Sequence, residues 1–206
     1  PQFKATGPVL AAGLAEDDGG RNLITYHPTA VHSSSEWFHD VPWLDFNMWQ
    51  TSTRIHIDYC ETLLQDYNRT PVKPFLDGET RYEHSHRYFG QQGPCGVRMT
   101  PKRVRQAAYY AMLCGALGHT YGCRDAWSFH IPSDEPPWRD VDTHWKEAIQ
   151  FPGALQLHHW RTLFTDYVWH KLVPDQEGML VTHGNCEGSP RIQGALSEEG
   201  DFALVY

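Results

Sequence analysis

VKPFLDGE, residues 72–79, decides the fold: a short apolar run closes on Gly78 and is followed at once by a carboxylate, Glu79. A β-prone run of this length between turn residues predicts a strand. A helix is predicted next, from Thr100 with Pro101 as first helical residue, through Val104, Ala108 and Met112, to a stop at Gly118. The same couplet precedes it. WLDFNMWQT (43–51) alternates Leu44, Phe46 and Met48 on one face and leads into a helix on Ile55, Tyr59, Leu63 and Tyr67. Further upstream NLITYH (22–27) predicts a strand ended by His27 and Pro28, with HSSSEWFHD (32–40) as its polar loop. Downstream, the apolar turn ALGHTYG (116–122) opens a loop with Trp127, Phe129 and three prolines, before a last helix on Leu157, Trp160, Phe164, Tyr167 and Val168.

Four consecutive strand-helix units predict an α/β fold with a parallel sheet covered by helices. A (β/α)8 barrel takes about 250 residues, so four units before residue 174 amount to half a barrel. Beyond Val173 the texture changes to a Gly-rich stretch with strand-like pieces at 179–182 and 202–206. The expected domains are a partial barrel over 1–173, then a linker and the beginning of a β domain over 174–206.

Composition narrows the partners. The chain has 206 residues, 40% hydrophobic and 20% charged, enough apolar mass for a core. Its net charge is −8 and its cations are scattered, so nucleic acid is not expected as a partner. No window approaches a membrane span, no secretory signal is present, and the start at Pro1 fits a processed chain or a piece of a longer one. Eight Trp, ten Tyr and nine Phe, many beside His, Asp or Gln, suit a sugar cleft, because a pyranose has an apolar C–H face and a polar rim. The bland reading of any single ring is core packing. Five cysteines without a CxxC pair leave at least one thiol free, and Cys60 and Cys114 are expected as buried thiols.

In α/β folds ligands bind at the carboxyl ends of parallel strands. His27, Gln50 with Thr51, Glu79, and His119 with Tyr121 are therefore expected to converge. Glu79 is the candidate nucleophile of a retaining glycosidase. Asp77 is expected to point away from the site and serve the structure. Glu83 is expected as a substrate or supporting contact. The competing reading makes Asp77, Glu79 and Glu83 a solvated acidic turn. His84 and His86 form an H-x-H pair, which with His119 gives a metal-dependent hydrolase as an alternative. His158 and His159 are adjacent on a helix and cannot face one site together.

The segments TYHP (25–28), SSSEWFHDVPWLDFNMWQT (33–51), KPFLDGETRYE (73–83), RQAAYYAMLCGALGHTYG (105–122), PGALQLHHWRTLF (152–164) and VPDQ (173–176) occur in an order that resembles the apiosidase-like glycoside hydrolases, family 140 and relatives. The resemblance covers roughly residues 20–178. It implies the C-terminal half of a (β/α)8 barrel, strands five to eight, followed by the start of a β-sandwich-like domain. It also implies a retaining mechanism on plant cell-wall glycans such as apiose-bearing pectin side chains, in a secreted or periplasmic protein. By this comparison Glu79 falls on strand seven, where related barrels carry the nucleophile. The acid/base belongs to a Gly-Gly-Asp-like segment after strand four, upstream of residue 1. Where relatives often read Gln-Ser-Gly-His, this chain has Gln50 to Thr53, QTST.

The expected site is thus Glu79 as catalytic residue, with His27, Gln50, Tyr82, Glu83, His119, Tyr121 and Trp127 around a carbohydrate substrate, and with no metal or cofactor. A non-catalytic or vestigial carbohydrate-binding domain is the alternative from a different class. A half-barrel with open edges is expected to self-associate or to be marginally stable. Asp45 and Asp125 are the in-chain acids near strand ends that could stand in for the acid/base.

Overall fold

The computed structural model describes residues 2–52, 58–88, 94–136, 140–183 and 191–206. The chain runs through helix α1 (Gln2–Asp18), strand β1 (His32–Ser33), helix α2 (Ser35–Phe38), strand β2 (Asn47–Gln50), helix α3 (Tyr59–Tyr67) and strand β3 (Phe75–Asp77). A hairpin of β4 (His86–Tyr88) and β5 (Pro94–Arg98) precedes helix α4 (Pro101–Leu113) and strand β6 (Gly118–His119). Short helices α5 (Arg124–Trp127) and α6 (Trp145–Ala148) lead to α7 (Pro152–Asp166), and the chain ends in strands β7 (Leu172–Pro174), β8 (Gly194–Ser197) and β9 (Ala203–Val205).

The central sheet has the order β1-β2-β3-β6. β2, β3 and β6 are parallel, with Trp49 opposite Asp77 and Asp77 opposite His119. Side chains alternate across a strand, so Trp49, Phe75, Asp77 and His119 share the face toward the helices, while Met48, Gln50, Leu76 and Gly118 share the other. The helix-side face builds the core: Trp49 and Phe75 pack against Tyr59, Cys60 and Leu63 of α3 and Ala107, Tyr110 and Ala111 of α4. The opposite face, which a closed barrel fills with side chains, is half-exposed here.

Local chemistry explains the helix ends. Asp58 caps α3 by accepting from the Glu61 N–H at 2.9 Å. Pro101 at the first position of α4 has no N–H to leave unpaired. A second apolar cluster joins Met112 and Leu113 of α4, Phe164 of α7, and Leu172 and Ala195 of the terminal sheet. That antiparallel sheet, in the order β7-β8-β9, thereby lies on the helical layer.

Several expectations need correction. NLITYH is not a strand. It runs beside residues 45–46 with a single backbone bond from Asp45 N–H to Ile24 C=O, and side chains take the rest: Asp45 accepts from the Ile24 N–H and the Thr25 hydroxyl donates to Phe46 C=O. The first strand is β1, antiparallel to β2. The serines of HSSSEWFHD are buried and not in a solvated loop: the Ser33 and Ser35 hydroxyls both donate to the Asp66 carboxylate of α3 at 2.5 Å. Helix α1 went unread in the sequence, where its apolar residues do not fall into one stripe. Helix α4 ends at Leu113 because Gly115 takes φ +87°, and Gly118 belongs to β6. Tyr167 and Val168 lie past α7, and residues 179–182 carry no strand, whereas the expected 202–206 strand is present as β9. Cys60 and Cys114 are buried free thiols as expected, and Cys123 is a third among the described residues. Thr53, Ile55, Pro137 and Cys186 lie outside the described residues.

Candidate active site

The turn that presents Glu79 is clamped by both neighbouring strands. The N–H groups of Gly78 and Glu79 donate to the Trp49 C=O, Ser52 N–H donates to the Glu79 C=O, and the Thr120 hydroxyl donates to the Gly78 C=O. The absent Cβ at Gly78 leaves room for the Met48 side chain, whose methyl would lie 2.0 Å from a Cβ there and would have to move aside. The Glu79 side chain is 26% exposed at the carboxyl end of β3, and His27 Nε2 lies 3.0 Å from its Oε2. The Tyr82 hydroxyl also bonds to Glu79. Burial, followed by the charge of Glu79 and that hydrogen bond, pushes the Tyr82 phenol up to about 12. It remains a proton donor at ordinary pH.

Tyr82 is shared with a cleft of about 540 Å³ lined by Tyr82, Tyr121, Trp127, Phe129, Trp145 and Ile149. Gly122 admits the Tyr82 ring, for a Cβ at 122 would meet it at 2.2 Å. Trp127 and Phe129 are 50% and 67% exposed on this wall, and Phe129 meets Trp145 edge to face with centroids 5.6 Å apart. The loop bearing these rings is held from beneath by Asp125, which accepts from the N–H groups of Asp142 and Thr143 at 3.0 and 2.8 Å. Burial pushes the Asp125 carboxyl up, but hydrogen bonds from His84 and from those two N–H groups outweigh it and hold the group at about 2.

The structure thus brings His27 and Tyr82 to Glu79, and places Tyr121 and Trp127 in the adjoining cleft. Gln50 is half-buried on the sheet face opposite the helical core, its C=O bonded to the Val31 N–H. Two other residues are directed elsewhere. Glu83 is buried, and its carboxylate accepts from the Tyr121 hydroxyl at 2.7 Å and from the first free N–H groups of α7, Gly153 at 2.8 Å and Ala154 at 3.1 Å. The His119 side chain is buried on the helix side of the sheet, 3.7 Å from Asp77 and beside Trp160. Asp77 faces away from Glu79, accepting from Thr51 and from Tyr59, whose phenol burial and the Asp77 charge push far above its usual range. Among missed residues, Phe129 and Trp145 carried a signal, namely aromatic rings in the same loop as Trp127. Arg81, buried over the Tyr59 ring at 4.8 Å, carried none.

His84, His86 and His119 form no metal cluster. The group with metal-ligand spacing among the described residues is His84, Asp125 and Asp142. A guanidinium already meets two of its three members: Arg98 donates to Asp142 at 2.6 Å, lies 2.9 Å from the His84 ring and bonds the His84 C=O. Asp45 and Asp125 both spend carboxylate oxygens on backbone N–H groups.

A family model, apiosidase-like, catalytic domain, matches residues 5–171. The chain belongs to the apiosidase-like family. Two solved structures resemble it at a TM-score of 0.84: a glycoside hydrolase at 26% identity, and a glycoside hydrolase family 5 protein from Bacteroides vulgatus at 29%. The match covers 95% of this chain in both cases and 46% and 44% of those chains, so the apiosidase-like chain spans less than half their length. No curated protein matches it. Its α/β architecture, a parallel sheet under helices, is that of a partial TIM barrel.

Proposed function

We propose that this apiosidase-like chain carries the nucleophile of a retaining O-glycoside hydrolase, and that the nucleophile is Glu79. The observation that supports this reading is the position of Glu79 at the carboxyl end of a parallel strand, between His27 and Tyr82 and at the lip of an aromatic cleft. The carboxylate attacks the anomeric carbon, forming a glycosyl ester and expelling the leaving-group oxygen, which an acid protonates. Water, deprotonated by the same group, then releases the sugar. His27 and Tyr82 orient the attacking oxygen and stabilise its charge.

The acid/base must sit about 5 to 5.5 Å from the nucleophile. Asp45 and Asp125 are committed to the backbone, so we assign this group to a segment outside residues 1–206. The three parallel strands here correspond to barrel strands six to eight, with β3 and Glu79 at the seventh, the terminal sheet to the start of a β-sandwich-like domain, and the substrates to plant cell-wall glycans such as apiose-bearing pectin side chains. The protein acts outside the cytoplasm, where those glycans are.

The test uses the full-length protein and an activated 2-deoxy-2-fluoro glycoside, which traps the ester. Mass spectrometry should find the adduct on the peptide containing Glu79, and Glu79→Gln should abolish both adduct and turnover. An adduct on any other carboxylate ends the assignment.

A further inference from the structure

Asp77 precedes Glu79 by two residues, yet its side chain turns away from the site and is fully buried. Its carboxylate accepts from the Thr51 hydroxyl at 3.0 Å, just past β2, and from the Tyr59 hydroxyl of α3. Its backbone C=O accepts from the Thr120 N–H at 3.2 Å, just past β6. The segments held in this way are the ones that clamp Glu79. Ser52, next to Thr51, donates its N–H to the Glu79 C=O at 3.0 Å, and the Thr120 hydroxyl donates to the Gly78 C=O at 2.5 Å.

Two further features set this network apart from ordinary core packing. Ser52 holds φ +63°, a left-handed conformation that a residue other than glycine keeps only where its surroundings impose it. The bond from Thr51 to Asp77 fixes the residue immediately before it. Tyr59 also reaches the chain beyond Glu79: the buried Arg81 guanidinium lies 4.8 Å from its ring centroid and donates to the Arg103 C=O at 3.4 Å. One phenol thus contacts the residues two before and two after Glu79. A buried acid is a poor device for stability, because desolvation offsets its hydrogen bonds. What this one does is fix where a turn sits.

Resting on the reading of Glu79 as nucleophile, we infer that Asp77 is a positioning residue: through Thr51 and Ser52, Tyr59 and Thr120 it sets the height and aim of the turn that carries the attacking carboxylate. Rate depends steeply on such placement, since a misplacement of about 1 Å costs on the order of 100-fold. Asp77 touches no substrate, so its loss acts on the chemical step and leaves binding as it was.

The experiment compares the full-length protein with Asp77→Asn, whose amide keeps the shape but turns one acceptor into a donor, and with Thr51→Val, which deletes a donor. Labelling by a 2,4-dinitrophenyl 2-deoxy-2-fluoro glycoside measures the rate of ester formation and the half-saturating concentration separately. Each variant should form the Glu79 adduct about 10- to 100-fold more slowly at unchanged half-saturation. Thr51→Ser, which restores the hydroxyl, should recover most of the rate lost in Thr51→Val. Amide hydrogen exchange, which needs no sugar, should be faster in Asp77→Asn at Ser52, Gly78 and Glu79 and unchanged in α4. Wild-type rates in both variants, no rescue by serine, or a loss of protection as large in α4 as in the turn would each overturn the inference. An adduct on another carboxylate of the wild type would overturn the nucleophile reading and this inference together, whereas wild-type rates with the adduct on Glu79 would overturn this inference alone.

Discussion

The Glu83 carboxylate accepts from the Gly153 N–H at the start of α7, 2.8 Å away, and from the hydroxyl of Tyr121, whose ring lines the cleft. Glu83 lies four positions after Glu79 in sequence, yet the two acids do different work. One is spent on the fold and the other is presented to the site.

Glu83→Ala leaves buried N–H groups and the Tyr121 hydroxyl without their acceptor, which should cost about 2–4 kcal/mol of stability. Gly153→Ala should also destabilise, since its Cβ would lie 2.4 Å from a Glu83 carboxylate oxygen. Urea denaturation reads both. A Glu83→Ala protein of unchanged midpoint would return this residue to the list of substrate contacts.

Tyr82→Phe removes a hydrogen bond to the Glu79 carboxylate, so turnover of a responsive substrate should fall about 10- to 100-fold while the melting temperature changes little. Because the phenol lies at about 12, the wild-type rate should show no alkaline loss from Tyr82 below about pH 10. Gly122→Ala, which drives a methyl into the Tyr82 ring, should reproduce the defect. Full activity in Tyr82→Phe would separate the cleft from the chemistry.

Asp125 predicts the acid limb of stability. Its carboxyl is lowered from 3.8 to about 2 on folding, so its contribution is present above about pH 4 and is lost as pH falls toward 2. Asp125→Asn should flatten melting temperature against pH across that window. A mutant as acid-sensitive as the wild type would place the dependence on other carboxylates.

Arg98 meets two members of the His84, Asp125 and Asp142 cluster, so its guanidinium competes with any cation there. EDTA should leave both hydrolysis and melting temperature unchanged, and added zinc or calcium should not raise the latter. A chelator-sensitive rate that tolerates Glu79→Gln would favour metal-assisted hydrolysis instead.

The isolated 206-residue chain should self-associate. Met48 and Leu76 on the unfilled sheet face are half-exposed, and Val173, Leu196 and Val205 leave apolar surface open on the terminal sheet. Light scattering after size-exclusion chromatography checks this, and a monodisperse monomer would refute it.

Much of the architecture was legible in the chain itself. The β-prone run to Gln50, whose core face is that of Trp49 and not of Met48, the Gly78–Glu79 turn and the Thr100–Pro101 helix start are local signals, and local signals act through backbone propensity and periodicity, which need no distant partner. They were enough for three parallel strands, helices α3, α4 and α7, and Glu79 at a strand end. Tertiary structure decided the rest. Whether HSSSEWFHD is a surface loop depends on Asp66, which lies some thirty residues away and gives the buried serines their acceptor. Whether NLITYH is a strand depends on whether a neighbouring backbone completes a ladder, and side chains of Asp45 and Thr25 make most of its bonds instead. The histidine and glutamate expected in the site show the same limit. His119 is opposite Asp77 in the sheet register and therefore faces the helices, while Glu83 meets the amino end of a helix seventy residues on. A sequence states which groups are charged or aromatic, but the side of a sheet on which each one emerges, and the backbone donors that claim it there, are set only when distant segments pack.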